Sequence, residues 1–190
     1  MKTMPRCLWA ILILLLMVSC SPSRTGGTIS DKGNLIELKT PDHTVKAVKG
    51  KKEEGSFVIM SIRPVGNPDV MKYLDARMTV MPKETFDEYK AQMEAMKEKK
   101  TKNPADLLKL RKSVRRMAVI AENGKVQNTL KKLQGQMEGK ERHHALVKIS
   151  MTDVMVMELM HKDKPVFLSG DLGKHYLIHS MEILQDNYAF

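Results

Sequence analysis

With 190 residues, of which 42% are apolar and 28% charged, the chain has enough core material for one packed domain, and wholesale disorder is excluded. Thirty-two basic side chains against 22 acidic ones give a net charge of +10. Cysteine occurs only at positions 7 and 20, too few for a disulfide framework.

The first nineteen residues read as a targeting segment rather than as part of the fold. Lys2 and Arg6 form a short positive stretch, and Cys7 to Leu16 (CLWAILILLL) is an apolar run of signal-peptide length. That run falls short of the roughly 20 apolar residues a membrane-spanning helix needs. It ends Met17-Val18-Ser19-Cys20, and the chain turns polar at once with Ser21-Pro22-Ser23-Arg24-Thr25-Gly26-Gly27. This resembles the lipobox of bacterial lipoproteins, with Met17 standing where Leu is commoner. The resemblance covers about the first twenty residues. It implies cleavage before Cys20, acylation of that cysteine, and an envelope location. Cleavage would remove Cys7, Trp9, Lys2 and Arg6, leaving 30 basic side chains against 22 acidic ones and one cysteine, at the new first position. A lone thiol in an oxidising compartment is a liability that acylation removes. Acyl chains contribute about 0.8 kcal/mol per buried CH₂, and two or more anchor stably.

Residues 20–33, rich in Ser, Gly and Thr, are expected to form a lipidated N-terminus and flexible tether. A single domain is expected over 34–190. Asn34–Lys39 and His43–Val48 alternate apolar and polar residues around a Pro41-Asp42 turn, as short strands do. Lys49–Gly55 reads as a charged loop, and Ser56–Ile62 as a strand stopped by Arg63-Pro64. Lys72–Val80 alternates well. From Pro82 a helix is expected to about Lys100, with Phe86, Tyr89, Met93 and Met96 as its apolar stripe. Asn103-Pro104 restarts a shorter helix with Leu107, Leu110 and Val114 inward.

Strand chemistry returns over Val114–Ala121, followed by an Asn123-Gly124 turn signal. Val126, Leu130, Leu133 and Met137 fit a short helix that Gly135 interrupts. Ala145–Met151, Val154–Met160, Val166–Ser169 and His175–Ile183 read as strands, with turns at Lys162–Pro165 and Gly170–Gly173. Strands, a helical insert at about 82–113, and more strands predict an α+β fold with a largely antiparallel sheet.

The basic excess concentrates between Lys97 and Arg116, where nine basic residues face only Glu98 and Asp106. Lys109, Arg111, Lys112, Arg115 and Arg116 are the candidate contacts for an acidic protein partner or anionic lipid head groups. The alternative is a solvated helical face. Nucleic acid is not expected, because the run lacks aromatic residues for base stacking.

Other chemistry is thinner. His175 and His179 share a strand face and are candidate ligands for Zn or Cu, but no carboxylate or thiolate lies at a recognisable metal-ligand spacing. The many methionines suit Cu(I), yet Met is also a flexible core filler. Gly170 to His175 lacks the glycine and the hydroxyl of a phosphate loop, and no nucleophile motif is present. No cofactor is implied. The sequence therefore predicts a lipid-anchored, non-catalytic accessory protein of an envelope or secretion assembly. The anchor is expected in the outer membrane, facing the periplasm, since no acidic cluster follows Cys20. The alternative is a periplasmic ligand- or metal-binding lipoprotein.

Overall fold

The computed structural model describes residues 27–65, 71–99, 108, 112–139, 143–167 and 173–188, with 96–99 described as backbone only. Among these residues eight strands and two helices make a broadly α+β fold around one mixed sheet. In chain order these are β1 (Thr28–Lys32), β2 (Leu35–Lys39), β3 (His43–Arg63), β4 (Ala76–Pro82), α1 (Lys83–Lys99), β5 (Arg115–Ala121), α2 (Gly124–Met137), β6 (Ala145–His161), β7 (Lys164–Pro165) and β8 (Lys174–Gln185).

Every strand pairing is antiparallel except the parallel contact of β5 with β8. Strands β3, β4, β5, β8 and β6 each pair with two others of this set, so the five close into a ring. Alternation then sorts their side chains into an inner and an outer face. Phe57, Ile59, Met78, Val80, Met117, Val119, Val147, Ile149, Met151 and Ile178 form the inner cluster, joined by Val126, Leu130, Leu133 and Met137 of α2. The outer face carries two further clusters. One gathers Ile36, Leu38, Val45, Met71, Tyr73, Leu74, Ile120, Val154, Leu159 and Leu177. The other holds Val58, Met81 and Leu146 under Phe86 of α1.

Several expectations change. Thr28–Lys32 is a strand rather than tether: the two-residue loop Gly33-Asn34, with Gly33 at φ 65°, folds it back onto β2. The expected loop over Lys49–Gly55 lies inside the 21-residue β3. Its partner β6 satisfies the backbone along that stretch, with one register shift between Lys49 and Lys52. The charged side chains there find partners, Glu53 with Arg115 and Glu54 with Lys148. Ala145–Met151 and Val154–Met160 likewise merge into one strand. The strand expected from Lys72 starts at Ala76, because Tyr73 and Leu74 turn into the outer core.

Pro82 closes β4 instead of opening the helix. Asn123-Gly124 is a helix start rather than a hairpin turn: Asn123, extended at φ −145°, accepts the Val126 N–H at 3.1 Å and so caps α2. Gly135 faces open space and leaves α2 intact. The short β7 ends at Pro165; past it the Val166 N–H still bonds the Leu159 carbonyl at 2.8 Å, and the end of the strand expected over Val166–Ser169 lies outside the described residues. Most of the second part of the expected insert, including Lys109 and Arg111, lies outside the described residues, as do Cys20 and the segment 1–19.

Candidate cationic groove

The β3–β4–β5 surface gathers arginines that are distant in sequence. Arg63 stands directly opposite Arg77 across β3 and β4, and Thr79 stands opposite Arg116 across β4 and β5. On β4, Ala76, Met78 and Val80 fill the inner cluster, which turns Arg77 and Thr79 outward. On β5 the same alternation buries Met117 and Val119 inside and turns Arg116 outward. Arg116 lies between Val114 of one outer cluster and Ala118 of the other. Arg63, Arg77, Arg116 and Lys174 thus line one groove of about 510 Å³, with Ser61 and Thr79 as its hydroxyls and Met71 at its edge.

No carboxylate lines this groove among the described residues. Lys174 makes an ion pair with Asp153 at 3.7 Å, on the side of the lysine away from the groove's arginines. Like charges directly opposite in a sheet destabilise it by about 0.2–1 kcal/mol, so Arg63 beside Arg77 costs stability that an anion in the groove would recover. Guanidinium groups grip carboxylates and phosphates bidentately, and the two hydroxyls can donate to the same oxygens.

Behind the groove sits a buried polar pair. The Tyr73 hydroxyl meets His175 Nε2 at 2.9 Å, and His175 Nδ1 donates to the Gly173 carbonyl at 3.2 Å. With Nδ1 donating, Nε2 accepts from the tyrosine and the ring is neutral. Burial lowers the His175 pKa below its usual 6.5, and the charge of Arg77 lowers it further, against the opposing pull of the Gly173 carbonyl. Burial likewise pushes the Tyr73 pKa up. Tyr73 and His175 therefore act as a neutral wedge that holds the β8 start against the 71–74 segment.

Among the described residues, those singled out from sequence separate in space. Arg115 and Arg116 project to opposite faces of β5. Arg116 lines the groove, while Arg115 donates to both Glu53 oxygens at 2.8 and 2.9 Å and lies over the Phe57 ring. Lys112 is exposed just before β5. Alternation thus divides the strand-forming end of the basic run between two faces, while Lys109 and Arg111 lie outside the described residues. As a metal pair, His175 and His179 fare no better. His175 is fully buried and engaged on both nitrogens. His179 sits at a register shift of β8 and turns to Thr152 and Glu122. Among the described residues no group of three or more His, Cys, Asp or Glu is placed to hold a metal.

Sequence reasoning missed Arg63 and Arg77. Arg63 reads as a strand stop before Pro64, and Arg77 as one polar position of an alternating strand. Only the register between β3 and β4 brings them together. No family model, curated protein or solved structure matches this chain.

Proposed function

We propose that this protein is a membrane-anchored envelope lipoprotein that acts without catalysis, as an accessory binding an acidic protein partner in its arginine groove. The observation that carries the binding half is the groove itself: three arginines and a lysine around about 510 Å³, with no lining carboxylate among the described residues. A volume of that size suits two or three acidic side chains of a partner segment, and complementary charge supplies specificity and a fast encounter. The anchoring half rests on the residues that resemble a lipobox, Met17 to Cys20, and on the polar stretch after them. Among the described residues no helix is long and apolar enough to cross a membrane. The proposed location is the outer membrane, facing the periplasm, within an envelope or secretion assembly. Lys112, exposed just before β5, would add to this basic character, as would Lys109 and Arg111 close to it in sequence.

Two experiments test the halves separately. Acylation at Cys20 predicts added acyl mass and membrane association in the wild type, both lost in Cys20→Ala; an unacylated wild type contradicts the anchor. A photo-crosslinking residue in place of Thr79 should trap an acidic envelope protein in the wild-type background and not in Arg63→Ala/Arg77→Ala. Crosslinks to lipid alone, or equal trapping in both backgrounds, contradict the protein-binding role.

A further inference from the structure

A second site lies at the other end of β3 and does not depend on the groove. His43 opens β3 and His161 closes β6, and the two are direct cross-strand partners. Their side chains meet: His161 Nδ1 is 3.0 Å from His43 Nε2, and the ring centroids are 4.7 Å apart with the planes tilted by 45°. His43 is buried and His161 only partly so, so solvent reaches the pair from the His161 side.

We propose that His43 and His161 form a two-imidazole site for a borderline divalent cation, Cu(II) ahead of Zn(II). The two nitrogens are 3.0 Å apart, a separation that one ion bridges with two metal–imidazole bonds of about 2 Å. Two bonds of about 2 Å spanning that 3.0 Å make an angle of roughly 95° at the ion, nearer the right angle of tetragonal Cu(II) than the tetrahedral angle of Zn(II).

The surroundings hold this geometry in place. The Thr40 hydroxyl lies 3.3 Å from His43 Nδ1 and also accepts the His43 backbone N–H. A proton on Nδ1 shared with Thr40 leaves the Nε2 lone pair aimed at His161, the kind of support that fixes a ligand's tautomer. After His161 the chain turns tightly through Lys162 and Asp163, both at positive φ. The Lys162 N–H bonds the Asp42 carbonyl at 2.8 Å, which ties this turn to the one before His43. Tyr73 packs its ring 5.7 Å from that of His43.

Without metal, one proton bridges the two nitrogens. A bound cation takes its place, and His161 then carries its proton on Nε2, so both imidazoles stay neutral and ligate. Water fills the remaining positions, since the described residues offer no third His, Cys, Asp or Glu.

The test is Cu(II) titration of the full, metal-stripped chain, with the bound imidazoles counted by pulsed electron paramagnetic resonance. The expected result is one equivalent bound by two imidazoles, weakened at least tenfold in His161→Ala and unchanged in His179→Ala. Binding unchanged in a folded His161→Ala means adventitious capture elsewhere and overturns the site. The imidazole count on the wild type stands without any variant: fewer than two overturns the proposal.

Discussion

Two regions of the same sheet treat positive charge in opposite ways. Across β2, β3 and β6, Lys46 stands between Glu37 and Glu158 in register and bonds Glu158 at 2.9 Å. Lys49 on the same strand meets Asp31 of β1. Attraction to Glu158 raises the Lys46 pKa. Across β3, β4 and β5, by contrast, Arg63 faces Arg77, Arg116 lies one strand further on, and no carboxylate lines the space among the described residues. One strand, β3, runs through both regions. Strand β3 can therefore match a cross-strand cation with an acid, and at its own C-terminal end, among the described residues, it does not. Where cations are matched the surface is closed; where they are left together, the proposed acidic partner would supply the missing charge.

The largest expected effect comes from cutting the support beneath the groove. The Asp75 carboxylate accepts the Ala121 N–H at 2.7 Å and the Gln127 amide at 2.8 Å, joining the start of β4 to the end of β5 and to α2. Asp75→Ala strands a backbone donor and should cost about 2 kcal/mol, visible as a lower denaturant midpoint.

A pair of charge reversals sharpens the contrast between the regions. Lys46→Glu places three carboxylates in one cross-strand row and should destabilise by about 1 kcal/mol. Arg77→Glu puts an acid opposite Arg63 and should stabilise by about 0.5 kcal/mol, while losing the groove's binding. Equal destabilisation by both variants would mean that the groove arginines are already satisfied.

A smaller effect concerns the wedge behind the groove. His175 is buried and neutral, with a pKa below 6.5 in the folded chain. As pH falls through 6.5 the unfolded chain gains a proton there that the folded chain does not hold until its own lower pKa is reached. Stability is thus intact above 6.5 and declines below it. Thermal melts between pH 7.5 and 5 (an acid window set by the usual histidine range of about 6.5) should show the fall, and His175→Gln should flatten it.

How much of this was legible beforehand follows from which interactions are local. The stripe Val126, Leu130, Leu133, Met137 and the alternation of 76–80 encode their elements directly, so α2 and the body of β4 were readable. The charged stretch 49–55 was not, because what makes it a strand is a partner about a hundred residues away in β6. The same holds for both sites. Arg63 and Arg77 read as unrelated polar positions until register places them opposite each other. His43 and His161 are 118 residues apart and become a pair only when β3 meets β6. The basic run drew attention because it is contiguous, yet alternation sends Arg115 and Arg116 to different faces.

The most direct test of the central claim is the affinity of the full chain for a short poly-glutamate peptide. Three proteins are compared at fixed salt: wild type, Arg63→Ala/Arg77→Ala, and Lys46→Ala/Lys49→Ala. Both variants remove two positive charges, so net charge alone affects them equally. The account predicts at least a tenfold loss for the arginine pair and near wild-type binding for the lysine pair. Equal loss in both, or none in either, would contradict it.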